Sequence, residues 1–210
     1  DIPAFSEDRF RVRDDSQWPE KDYDIDMSRR GLWHSTLAGG VANIWGFLNP
    51  TADEGGSQPY PNAQQFRTYS TFFFDRNRFT ADMIPDPSLT DYAPGAGLEG
   101  GLRTAMRSAD NSRFIFYAEN VDEVTMDLSA APTEMYAVAI NTRGTYGEGR
   151  MAFLSPGRQV WSMPYRGDWA IAVGDFPPWR GVPRTIGPPG PGLRPSDALG
   201  RDDVSGPAAE

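Results

Sequence analysis

Hydrophobic and polar residues follow two rhythms along this chain, and the point where one replaces the other divides it. Near the start a short apolar run, residues 2–6, gives way to the alternating charged and apolar stretch 7–13, so Glu7 stands where a predicted strand meets its loop. A polar loop carrying Trp18 and Tyr23 leads to a helix that Asp26 or Ser28 can cap. Inside it Leu32, Trp33, Thr36 and Leu37 fall at i, i+1, i+4 and i+5, the spacing of a one-faced helix, and Gly39-Gly40 stops it. Residues 41–47 form a nearly continuous apolar strand of the kind buried on both faces, with Trp45 and Phe47 at its end. Strand, helix and strand make one unit, the repeating piece of an open α/β sheet or of a (β/α)8 barrel. One unit cannot cover both faces of a parallel sheet, so the expectation is the closing part of a larger domain.

Residues 49–62, rich in Pro, Gly, Ser and Asp, read as a long loop, and residues 63–79 as a helix whose Phe66, Tyr69, Phe72, Phe73 and Phe74 form an apolar, core-seeking face. Pro85, Pro87 and the run Pro94-Gly95-Ala96-Gly97 mark a linker. From about Leu102 the period becomes two. Phe114 and Phe116 alternate with Ile115 and Tyr117; Val124, Met126 and Leu128 share a face; Tyr136, Val138 and Ile140, then Met151 and Phe153, then Trp169, Ile171 and Val173 follow, separated by turn signals such as Asp110-Asn111 and Ser155-Pro156-Gly157. Short strands punctuated this way predict an antiparallel sandwich. The stretch from Phe176 onward is Pro- and Gly-rich with hardly any apolar residues, a tail. The expected fold class is therefore α/β plus all-β: residues 1–83 as the last strand-helix units of a (β/α)8 barrel, 84–101 as linker, 102–178 as a small antiparallel β-sandwich, and 179–210 as a Pro/Gly-rich tail.

Composition narrows the partners. With 39% hydrophobic and 12% aromatic residues in 210, the chain can build a core, and 19 prolines with 22 glycines favour short strands and turns over long helices. A net charge of -9 argues against nucleic acid or an anionic membrane and suits an uncharged sugar. There is no cysteine and one histidine, His34, which removes thiolate and multi-histidine metal centres and makes any Ser/His/Asp triad depend on one residue. Asp22, Asp24 and Asp26 lack the Gly and Glu of a calcium loop, and the glycines at 95–101 lack the strand and capped helix of a phosphate loop. No cofactor, metal or membrane span is expected. A start at Asp1, without Met or a signal pattern, reads as a processed chain or a fragment.

The order of these segments resembles the C-terminal part of a bacterial (β/α)8-barrel glycoside hydrolase with an appended β-sandwich, in the group containing the apiosidase-like enzymes and so-called collagenase proteins with a collagen-binding-like module. Ile2-Pro3-Ala4-Phe5-Ser6-Glu7, Arg30-Gly31-Leu32-Trp33 and Ala38-Gly39-Gly40-Val41-Ala42-Asn43-Ile44-Trp45-Gly46 resemble barrel strand seven, helix seven and strand eight. Phe114-Ile115-Phe116-Tyr117, Val124-Thr125-Met126-Asp127-Leu128 and Gly167-Asp168-Trp169-Ala170-Ile171-Ala172-Val173 resemble the sandwich. The resemblance implies a secreted or periplasmic, retaining hydrolase of a polysaccharide, in which Glu7 matches the nucleophile and Trp45, on the next strand, offers its ring to the sugar. The proton-donating carboxylate of barrel strand four has no counterpart here, so it would come from outside this chain, on a second polypeptide that completes the barrel. The alternative is a non-catalytic carbohydrate-binding or assembly subunit.

Each candidate also has a plainer explanation. Glu7 would otherwise pair with Arg9 or Arg29, Trp33 would pack the helix rather than touch substrate, and His34 would be a solvated or hydrogen-bonded helix residue rather than a substrate contact or proton shuttle.

Overall fold

The computed structural model describes residues 4–13, 25–48, 63–78, 81–91 and 101–176, with the backbone alone for 4–13, 25, 27, 28 and 41–48. Strand β1 (Ala4–Arg13) is followed by helix α1 (Ile25–Leu37) and strand β2 (Gly40–Leu48), and the two strands pair in parallel as a two-stranded sheet. Helix α2 (Ala63–Ser70) runs into a π-helical turn, Thr71–Asp75. The rest is one antiparallel sheet of β3 (Met83–Pro85), β4 (Arg103–Ser108), β5 (Arg113–Asp127), β6 (Met135–Asn141), β7 (Arg150–Leu154) and β8 (Arg158–Gly174), in the order β3-β4-β5-β8-β6-β7.

This corrects the expected fold class. A six-stranded antiparallel sheet dominates the described residues in place of closing barrel units and a separate two-sheet sandwich. The physical reason lies in the helices. An aromatic face at helical spacing is equally compatible with a barrel wall and with a flat antiparallel sheet, and here it takes the second. Trp33 and Leu37 of α1, with Phe72 and Phe73 of the π-helical turn, pack onto Met106, Ile115, Tyr117, Val138, Ile140, Ala170 and Ala172 from four sheet strands. The expected tail, 179–210, and half of the expected linker, residues 92–100, lie outside the described residues.

The opposite face makes the second core. Phe114, Phe116 and Ala118 of β5 gather with Val124 and Met126 of its far half and Leu128 just beyond it, and Trp169, Ile171 and Val173 of β8 with Trp161 and Met163. Alternation by two keeps these residues on one face through both halves of each strand, and between the halves β5 and β8 carry coupled irregularities: pairing runs regularly from Arg113↔Gly174 to Ala118↔Trp169, shifts at Val121↔Gly167, and shifts again before Glu123↔Ser162. Such bulges bend strands and increase their twist. Asn120, at the bulge, has φ 53°, the left-handed region that Asn tolerates better than most side chains.

At the end of β8, Gly174 has φ +109°, and a Cβ there would lie 2.2 Å from the Ser112 carbonyl oxygen. Both the dihedral and the clash oppose any side chain. Gly174→Ala is therefore expected to destabilise the fold by roughly 1–3 kcal/mol, read as a lower urea midpoint at unchanged slope; an unchanged midpoint would contradict this packing of the β4–β5 turn on β8.

Candidate functional site

Helix α1 lays its inward face on the sheet beside the bulge, and the contact is polar as well as aromatic. Arg29, 2% exposed, donates from Nη2 to Asp168 Oδ2 and Asp26 Oδ1, both at 2.6 Å, and from Nη1 to Thr142 Oγ1 at 3.0 Å. Asp168 accepts the Asn120 backbone N–H at 2.8 Å on its other oxygen and Arg143 Nε at 2.9 Å. One carboxylate thus fastens the bulge of β5, the β6–β7 connection and α1 together. Burial opposes the charge on Arg29, but Tyr117, Asp26 and Asp168 outweigh it and raise its pKa further above the ordinary range.

One helical turn on, Glu119 receives four donors. Arg30 Nη2 (2.6 Å) and the Leu102 backbone N–H (2.8 Å) reach Oε2, while His34 Nε2 (2.6 Å) and the Tyr117 hydroxyl (2.9 Å) reach Oε1. Burial alone would raise this carboxyl, yet the bonds from His34 and Arg30 win and hold it well below the usual carboxylate range. Ionised and saturated with donors, Glu119 is unsuited to give up a proton at neutral pH. What it does is orient His34, whose Nε2 donates to the ionised carboxylate. Burial and the neighbouring Glu119 charge raise the Tyr117 hydroxyl well above its ordinary pKa, so it stays a donor.

The four residues singled out from sequence fall into two groups. Trp33 and His34 sit together on α1, both against Tyr117, whose ring Trp33 stacks at 5.3 Å between centroids with a 4° tilt. Trp33 is fully enclosed, also touching Tyr69, Phe72 and Phe73, whereas the His34 side chain is 27% exposed. Glu7 and Trp45 sit on the paired strands β1 and β2, against which α1 lies, with their side chains outside the described residues. Their backbone carries one distinctive feature. Ser6 pairs with Asn43 and Phe10 with Trp45, so Glu7, Asp8 and Arg9 of β1 stand opposite the single residue Ile44 of β2.

Glu119 and Asp168 were not among the sequence candidates, although a signal was present. Each stands directly at the end of an apolar run, Glu119 after Phe114 to Ala118 and Asp168 before Trp169 to Val173, and a carboxylate buried in such a place needs cationic partners. The partners, Arg29 and Arg30, are remote in sequence. Among the described residues no group of three or more His, Cys, Asp or Glu side chains is placed to hold a metal ion, and no helix is long and apolar enough to cross a membrane.

No family model matches the sequence, and no curated protein matches it. The fold does match solved structures. It is similar to a glycoside hydrolase at TM-score 0.52 and 17% identity, over 70% of this chain and 36% of that one. It is also similar to a family 5 glycoside hydrolase from Bacteroides vulgatus ATCC 8482 at TM-score 0.51 and 14% identity, over 73% of this chain and 38% of that one. At such identities the likeness is one of fold, and this chain spans less than two fifths of either protein.

The Glu119 site has a pH signature. Its folded pKa is depressed, so its contribution to stability is fully present above the unfolded value of about 4.3 and is lost as pH falls below it toward the folded one. Glu119→Gln should lower the urea midpoint at pH 6, and the gap between variant and wild type should narrow by pH 3. A gap that stays constant across that window would show that folding does not depress the pKa of this carboxyl.

Proposed function

We propose that this chain is part of a retaining glycoside hydrolase, of the apiosidase-like kind its sequence resembles, that cleaves glycosidic bonds in a polysaccharide outside the cytoplasm. Glu7 is the nucleophile. Its carboxylate attacks the anomeric carbon while a second carboxylate, about 5 Å away and supplied from outside this chain, protonates the leaving oxygen; water then releases the sugar as the second carboxylate takes its proton. Trp45, on the neighbouring strand, gives the sugar ring an apolar face, and His34 donates or accepts a hydrogen bond at the rim. Trp33 is enclosed and serves the substrate through its hold on α1.

The register break in β1 is the observation that carries this reading. Bulges recur beside active sites because the extra residues re-aim a side chain out of the regular ladder, and this one spans Glu7, three positions before Phe10 regains the pairing with Trp45. The likeness in fold to glycoside hydrolases supports the reaction class.

In the catalytically complete enzyme, Glu7→Gln is expected to lower kcat on aryl glycosides by about 10⁴-fold or more, in line with the loss of other nucleophiles. Glu7→Ala should regain turnover with azide, which adds to the open face of the anomeric carbon and gives a glycosyl azide of inverted configuration. Undiminished hydrolysis by Glu7→Gln would leave the chain a binding or assembly subunit.

A further inference from the structure

The helices do not cover the whole of their face of the sheet. On β6 the residues of that face are Tyr136, Val138 and Ile140; Val138 and Ile140 are buried, but Tyr136 is 41% exposed. Its direct partner on β7 is Phe153, 68% exposed, with the rings 5.5 Å apart between centroids, and Met151 beside them is 59% exposed. Tyr136 also stands between two cavities of about 360 Å³ each, which share Tyr136, Gly174 and Asp175. The result is a trough that runs past one aromatic side chain on both sides and continues along the β6–β7 edge. Its dimensions lie within the range of small-molecule sites.

One of the two cavities is built rather than merely open. It is lined by Arg76, Arg78 and Glu148, with Val138 and Ala172 as apolar floor. Arg78 is 6% exposed; its guanidinium lies 4.5 Å from the Phe72 ring centroid and donates to Tyr146 Oη at 3.3 Å and to Glu148 Oε1 at 3.2 Å. The Tyr146 hydroxyl donates to the same Oε1 at 2.6 Å, and Arg76 Nε approaches it at 3.4 Å. All three donors converge on one oxygen, and among the described residues Glu148 Oε2 takes none. Burial would raise this carboxyl, but Tyr146 and the two guanidiniums hold it below its ordinary range, so Oε2 remains an ionised acceptor.

These groups specify a ligand chemistry. The charges of Arg76 and Arg78 are met by Glu148, Asp75 and Asp175 within the same lining, so neither a strongly anionic nor a strongly cationic ligand is selected. A hydroxyl-rich neutral molecule can donate to Glu148 Oε2, accept from Arg76 and lay a C–H face on an exposed ring. We propose that this trough is a binding site for a neutral oligosaccharide, separate from Glu7, with Tyr136 as the stacking surface between two sugar positions and Glu148 with Arg76 as the polar contacts. The proposal takes its ligand class from the glycoside hydrolase reading and adds a second place where such a protein holds its polymer.

Titration of the full 210-residue chain with cellohexaose, xylohexaose, mannohexaose and laminarihexaose, followed calorimetrically, tests it. At least one of these is expected to bind, Tyr136→Ala to weaken that binding by about tenfold, and Tyr136→Trp to retain it. Glu148→Gln should weaken it as well, while Glu7→Gln leaves it unchanged. Circular dichroism melting confirms that each variant is folded; Tyr136 is partly exposed, so its replacement leaves the cores intact. No binding of any hexasaccharide, or binding indifferent to Tyr136→Ala, overturns the site. Binding lost in Glu7→Gln but kept in Tyr136→Ala also overturns it and leaves the catalytic reading standing; binding through Tyr136 in an enzyme whose Glu7→Gln variant still hydrolyses does the reverse.

Discussion

Two charges removed from water hold this structure to one arrangement. Arg29 and Asp168 are 2% and 1% exposed in their side chains and meet at 2.6 Å. Desolvating such a pair costs several kcal/mol per ion, which their attraction offsets only when the remaining donors and acceptors are also satisfied. Here Asp26, Thr142, Arg143 and the Asn120 backbone N–H fill most of them. The network therefore works less as a source of net stability than as a specification. Any displacement of α1 along the sheet would leave an unpaired buried charge, a penalty of about 3–5 kcal/mol. The hydrophobic contacts of Trp33 and Leu37 are non-directional and would tolerate sliding; the ion pair does not.

That constraint explains why bulge, helix and candidate site belong together. Asp168 needs the bulge because only there does the Asn120 backbone N–H turn toward it, and Asn120 accepts the left-handed backbone that the bulge requires. Once α1 is fixed, His34 falls on Glu119 and Trp33 on Tyr117. β1 and β2, which flank α1 in sequence and lie against it, inherit its position, and with them the backbone that carries Glu7 and Trp45.

Much of this fold was legible in the sequence at the level of elements and little at the level of assembly. Alternation by two located Phe114 and Phe116 on one face of β5 and Ile115 and Tyr117 on the other, and the structure buries all four. What alternation cannot express is which remote element covers each face. The covering residues for Ile115 and Tyr117 come from α1 and the π-helical turn, and their aromatic spacing suggested a barrel because helical periodicity records that a face is apolar without recording its partner. Of the site, His34 and Trp33 were visible as unusual residues on a helix. Glu119 and Asp168 were not, since a single carboxylate at the end of an apolar run looks like a turn until the arginine that neutralises it is placed beside it. The exposed pair Tyr136 and Phe153 was read as ordinary strand alternation, because sequence does not reveal where helix cover ends.

The claim on which the rest depends is that Arg29 and Asp168 act on each other rather than being separately tolerated. A double-mutant cycle with Arg29→Met, Asp168→Asn and both together, read by urea unfolding at pH 7, isolates that interaction. Each single change is expected to be costly, the second to cost far less once the first is made, and the coupling to be about 2 kcal/mol or more. Additive losses, with a coupling near zero, would contradict this.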